Sequence, residues 1–300
     1  MANTEVLAVD LGQSGSRIKQ GERLISSDRG KLVGENPLAS LRAIFESTEK
    51  LHADVVSLSC TGFNGVVPNA DSYRTLCAEF FGATKVAVID DGLAGYVGAL
   101  NGRNGVVLSI GGGVVAVGGN HGKFAHRDGL GSTFGDEGGG FWLGKNAITK
   151  ALGIRQGRGD DQEMLNYFAA ECEAFDSLHD KSAADASTLA IRTAKKVLEA
   201  ADAGVSTATA IVDEGAFLLA QTVVATWYGC GGTKSDSPEI VIQGGVARNA
   251  TYATKIAMEI NYKLPNAVIA QSAGDNLDGA TWIANNLRQD APPLLLWAGL

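Results

Sequence analysis

What this chain lacks narrows its function before any motif is read. The four cysteines, Cys60, Cys77, Cys172 and Cys230, are scattered with no C-x-x-C pair, and the four histidines show no metal-ligand spacing. That disfavours a structural zinc site and leaves buried thiols in a reducing compartment as the expectation. Lysine and arginine form no cluster, and a net charge of -8 opposes a nucleic-acid surface. No apolar run reaches the ~20 residues of a membrane span, and no basic-then-apolar leader opens the chain. A cytoplasmic protein with neither nucleic acid nor membrane as partner is expected. Repeat arrays and low-complexity linkers are also missing.

What is abundant is glycine, 39 residues of 300, gathered in loops between apolar runs. With 45% hydrophobic and 19% charged residues, the composition is that of a globular protein. Its length exceeds what one core usually holds, so two domains are expected. The densest loop, Gly129 to Gly140, holds six glycines with Asp136 and Glu137, and Phe141, Leu143, Ile148 and Leu152 then mark a helix. A glycine loop feeding a helix can turn backbone N–H groups toward a ligand, and the two acids supply acceptors for hydroxyls. An acidic helix cap on a surface loop would account for the same residues.

In chain order, Glu5–Asp10 reads as a buried strand, Gly12-Gln13-Ser14-Gly15-Ser16 as a turn, and Arg17–Gln20 and Arg23–Ser26 as two further strands. The turn can cradle phosphate through the backbone at its glycines, and Asp10 at the strand's end can hold a hydrated Mg²⁺. Taken alone, the loop is better explained as a plain hairpin turn with Asp10 as a turn former, since its spacing matches no established phosphate-loop pattern. Asn36 caps a helix beginning at Pro37. Strands at 55–59 and 85–89, with a helix at 73–81 between them, lead to Asp90 and Asp91, and a small helix runs from Gly92 to Leu100. Strands ending in carboxylates point to a crevice at their carboxyl edge.

Gly105–Ile110, Gly111-Gly112-Gly113 and Val114–Val117 repeat the strand–turn–strand device, which implies a duplicated scaffold clamping one ligand between its halves. Helices follow at 160–172, Ala183–Ala203 and Ser206–Tyr228. Strand Glu239–Gln243 enters Gly244-Gly245-Val246 and a helix to Leu264, a turn able to lie against a flat ring because it has almost no side chains. A strand at 267–270 and a helix at 275–287 complete the reading.

Taken together, these motifs resemble a known group. Asp10-Leu11-Gly12-Gln13-Ser14 is similar to the first phosphate motif of the sugar kinase, heat-shock ATPase and actin superfamily, Ile110-Gly111-Gly112-Gly113 to its second, and Gly244-Gly245-Val246 to its adenosine motif. Gly135 to Gly144 resembles the N-acetylglucosamine kinases and the wider BadF/BadG/BcrA/BcrD ATPase family. The resemblance runs from Val6 to about Ala284. It implies an α/β fold of two actin-like (ribonuclease H-like) domains with a cleft between them, residues 1–103 plus 288–300 and residues 104–287 with a helical insertion.

It further implies an ATP- and Mg²⁺-dependent kinase phosphorylating a primary hydroxyl of N-acetylglucosamine or a related sugar. Asp91 matches the catalytic base, and an aspartate at its ordinary pKa of about 3.9 needs no tuning to accept a proton. Asp136, Gly129, Gly131 and Asn36 match sugar contacts, Asn36 also being explained as a cap. Departures exist: Gly112 and Val114 replace hydroxyl residues of the second phosphate loop, and Leu11 and Gln13 replace glycines of the first. An ATPase activating a partner enzyme and a sugar sensor without turnover are the rival readings. Homodimerisation is left open.

Overall fold

The structure is a computed structural model that describes residues 5–32, 34–181 and 184–300. The chain begins as a meander of β1 (Val6–Leu11), β2 (Ser16–Gln20) and β3 (Arg23–Ser27). Helix α1 (Pro37–Ser47), β4 (Val55–Cys60), α2 (Asp71–Phe81), β5 (Lys85–Asp90) and α3 (Asp91–Leu100) follow. A second meander, β6 (Gly105–Ile110), β7 (Val114–Asn120) and β8 (Lys123–Asp128), leads into α4 (Gly140–Arg155), α5 (Gln162–Tyr167), α6 (Ala169–Asp176), α7 (Ala184–Asp202) and α8 (Ser206–Gly229). The chain ends with β9 (Glu239–Gln243), α9 (Ala250–Lys263), β10 (Val268–Ala270), α10 (Asn276–Asn286) and β11 (Leu295–Ala298). Ala183, expected to open α7, lies outside the described residues.

The two sheets share one plan. The first has the order β11-β5-β4-β1-β2-β3 and the second β10-β9-β6-β7-β8. Set β11 aside, and each is a meander whose first strand also pairs in parallel with the next strand of its half. The duplication read from two glycine turns is therefore a duplication of topology. Central strands such as β4, buried at all six positions, are covered on both faces and so read as unbroken apolar runs.

Three apolar cores hold this plan. One lies under α1 and α2 on the outer face of the first sheet, and one among α4–α9 and the second sheet. The third joins residues of both sheets, Ala8, Val55 and Ile89 with Val107, Val117 and Val241, around α3 and α10. Those two helices thus form the layer between the sheets. They cross closely because Gly98 and Gly279 lack side chains: a methyl on either would sit 1.9 Å from a carbonyl oxygen of the other helix's segment. The division expected at residue 288 assigns α10 to the second half, yet α10 lies on α3, β1 and β4.

The helix expected over 160–172 is two helices. Phe168 breaks the run with φ -106° and ψ 17°, and its ring is fully buried in the second core. Helix α8 is, by length and composition, long and apolar enough to cross a membrane. It carries Asp213 and Glu214, however, and ten of its residues, including Ile211, Leu219 and Trp227, are buried within the protein.

Candidate active site

The carboxyl ends of the parallel strands β1, β4 and β5 lie side by side and bring Asp10 near Asp91. Asp10, on β1, faces its cross-strand partner Arg17: Arg17 Nη2 donates to Asp10 Oδ2 at 2.7 Å, and Ser59 Oγ donates to Asp10 Oδ1 at 3.1 Å. Arg17 Nη1 reaches onward to Asp275 Oδ2 at 2.5 Å. Among the described residues no group of three or more His, Cys, Asp or Glu could cage a metal. Mg²⁺ commonly keeps its waters and needs only one or two carboxylates beside the substrate's phosphates. Asp10 fits an ion of that kind once Arg17 yields, and does not fit one caged by protein alone.

At the end of β5 two adjacent acids have different surroundings. Asp90 is buried and caps α3, its Oδ1 accepting from Gly92 N at 3.0 Å and its Oδ2 from Gly65 N at 2.9 Å. Asp91, the first residue of α3, is only partly buried and accepts a hydrogen bond from the Thr61 side chain. The ordinary pKa expected for Asp91 does not hold. Burial first, then the charges of Asp90 and Asp10, push it up to about 7, against the opposing pull of the Thr61 bond. A carboxyl poised there is both a competent base and close to neutral pH.

The first turn is closed by Gly12 N donating to Gly15 O at 2.9 Å, and it leaves Gln13 and Ser14 exposed. The second, Gly111 to Gly113, is closed by Gly111 N donating to Gly113 O at 2.9 Å. Helix α4 buttresses it: Gly140 N and Phe141 N donate to the oxygens of Gly111 and Gly112 at 2.8 and 2.9 Å. Gly139 is the cap of α4 and makes no side-chain cap bond, so Asp136 and Glu137 do not cap it.

Asp136 instead sits beneath this turn, 9% exposed and at φ 59°. Its Oδ1 accepts from Val114 N at 3.0 Å, and its own N–H donates to Asp128 Oδ1 at 2.8 Å. Burial and the Asp128 charge raise its pKa, against the Val114 bond. Gly129 and Gly131 both take positive φ, 70° and 80°, in the loop just before. Asn36 Oδ1 caps α1, accepting from Leu38 N at 2.9 Å.

The third turn forms one wall of a cavity of about 520 Å³. Gly245, Val246 and Arg248 face Ile191, Ala194 and Leu198 of α7 across it. Gly244 takes φ 105°, and a methyl there would lie 2.3 Å from Ile110 O; Gly245 has open space where its side chain would be. Ile191 also borders Gly112, so the cavity adjoins the Gly111–Gly113 turn. A slot with apolar Ile191, Ala194, Leu198 and Val246 and a charged rim of Lys195, Glu199 and Arg248, leading to a glycine turn, suits a base followed by phosphates. Thr61, Arg17 and Ile191 were not singled out by sequence. The position of Thr61 directly after a strand was the signal available.

Two α/β units of one topology, packed through α3 and α10, define the actin-like ATPase fold. Solved structures of similar fold include a candidate N-acetylglucosamine kinase from Chromobacterium violaceum, 18% identical, covering 92% of this chain and 97% of that one with a TM-score of 0.62. A ROK family glucokinase from Streptomyces griseus, solved with glucose and AMPPNP, is 14% identical over 94% of this chain and 99% of that one, at a TM-score of 0.54. A ROK hexokinase from Thermus thermophilus is 16% identical over 94% and 98%, at 0.56. At such identities the likeness is one of fold. No curated protein matches the chain. The protein belongs to the BadF/BadG/BcrA/BcrD ATPase family, whose profile matches residues 4–281.

Proposed function

We propose that the protein is an ATP-dependent sugar kinase acting on a primary hydroxyl of N-acetylglucosamine or a related amino sugar or hexose. The observation that carries this reading is Asp91, a partly buried carboxylate with a pKa of about 7 where β5 meets α3, near Asp10. A sugar hydroxyl must lose its proton as it attacks phosphorus, and Asp91 is the carboxylate proposed to take it.

In this reading the cavity at Gly244-Gly245-Val246 takes the adenosine, and the turns Gly12-Gln13-Ser14 and Gly111 to Gly113 take the phosphates, through the amides of Gln13, Ser14, Gly112 and Gly113, since those of Gly12 and Gly111 close their own turns. Asp91 accepts the hydroxyl proton. Asp136, Gly129, Gly131 and Asn36 hold sugar hydroxyls. Mg²⁺ arriving with the nucleotide would neutralise phosphate charge, with Asp10 toward its waters. Rearrangement of the two halves, divided near residue 103, would exclude water from the transfer.

The reading in which ATP hydrolysis drives a partner enzyme has less support, since all four cysteines are buried within the protein. A coupled ATP-consumption screen across sugars and amino sugars tests the proposal. Turnover should depend on one acceptor class; consumption indifferent to every sugar would reject it.

A further inference from the structure

We infer that Lys31 binds the terminal phosphate of the nucleotide. The backbone places it there. Lys31 N donates to Gly12 O at 2.8 Å, which pins the segment after β3 onto the first phosphate turn. The approach depends on Gly30, where a methyl would lie 2.4 Å from Gln13 O. From that anchor the side chain runs across Gly62. A methyl at Gly62 would sit 2.6 Å from Lys31 Cε and 3.1 Å from Nζ, and Gly62 holds φ 91°.

Gly62 follows Thr61, whose side chain bonds Asp91. The Lys31 side chain therefore runs from the turn proposed to hold phosphate to the glycine beside Thr61, a neighbour of the proposed base. In the reading proposed above, the phosphoryl group passes from that turn toward Asp91.

The charge of Lys31 is uncommitted. Among the described residues its ammonium makes one hydrogen bond, to Leu32 O at 3.4 Å, and no ion pair. The neighbouring acid, Glu35, feels this charge but accepts from Ser40 Oγ at 2.6 Å and pairs with Arg29 at 3.9 Å. Arg17, the other cation beside the turn, is held by Asp10 and Asp275. The second phosphate turn is three glycines and offers neither hydroxyl nor cation. A lysine on a flexible stem is a suitable point charge for a phosphate that arrives and leaves.

The inference rests on the nucleotide site proposed above, but its test needs no sugar. Titration calorimetry of the intact protein would measure ADP and the non-hydrolysable analogue AMPPNP against wild type, Lys31→Met and Lys31→Arg. Met keeps the stem over Gly62, and Lys31→Gln is the second variant should Met unfold. Loss of one charge-assisted contact predicts about a tenfold or greater loss of AMPPNP affinity, with ADP affinity held and Arg largely restoring the difference. Equal losses for both nucleotides, no loss, or a wild type that binds neither would overturn it. An AMPPNP-selective loss in a protein that phosphorylates no sugar would instead leave Lys31 in place and remove the kinase reading.

Discussion

At the scale of single residues, Asp90 and Asp91 show how neighbours on one chain diverge. Asp90 has both oxygens on backbone N–H groups, so Asp90→Asn should lower the melting temperature and change turnover little. Asp91→Asn should cut kcat by ~10²–10⁴ while nucleotide and sugar still bind, because the amide keeps the shape and loses the basicity. With its pKa raised to about 7, Asp91 is protonated in acid and inactive as a base. The kcat/KM profile should therefore rise with pH through about 7 and then level.

The same shift has a cost in stability. A carboxylate whose folded pKa exceeds its unfolded value destabilises the fold increasingly as pH climbs between the two. Asp91→Asn should accordingly be more stable than wild type at pH 8, by about 1–2 kcal/mol after allowance for its partial exposure. Denaturant melts at pH 8 and pH 4 check this, with the gain disappearing at the lower pH.

At the scale of elements, the glycine turns separate conformation from contact. Gly244 needs its positive φ and its closeness to Ile110, so Gly244→Ala should destabilise the protein. Gly245 has αR backbone angles and open space, so Gly245→Val should fold normally and block the cavity. ATP affinity should fall about tenfold or more at an unchanged melting temperature. Equal affinity in the folded variant would remove the adenosine assignment.

These turns were legible in the sequence because the demand for glycine is local. So were β1, β5, β6 and β9, whose apolar runs end in an acid or a turn. Strand β8 was missed because Lys123–Asp128 is largely polar and sits at a sheet edge, and β11 because its place depends on pairing with the distant β5. Phe168 broke a helical pattern by burying its ring, which periodicity does not register. In the site, the partner of Asp91 and its shifted pKa arise from packing between segments remote in sequence. A one-dimensional reading could place Asp91 but not its environment.

At the scale of the whole molecule, α3 and α10 form the layer through which the two sheets meet. The catalytic candidate opens α3, while the cap of α10, Asp275, holds Arg17 beside Asp10. Any change in how the halves sit must pass through the Gly98–Gly279 crossing. Gly279→Ala should force the helices apart and cost on the order of 1–3 kcal/mol of stability. Measured by denaturant melts, an effect near zero would mean the crossing adjusts freely. The central claim, that phosphate passes from ATP to a sugar oxygen with Asp91 as base, is tested most directly by product. Phosphorus NMR of ATP with N-acetylglucosamine and related sugars should show a sugar phosphate ester forming with wild type and slowed ~10²–10⁴-fold with Asp91→Asn. Inorganic phosphate released at one rate with or without sugar, in both proteins alike, would contradict it.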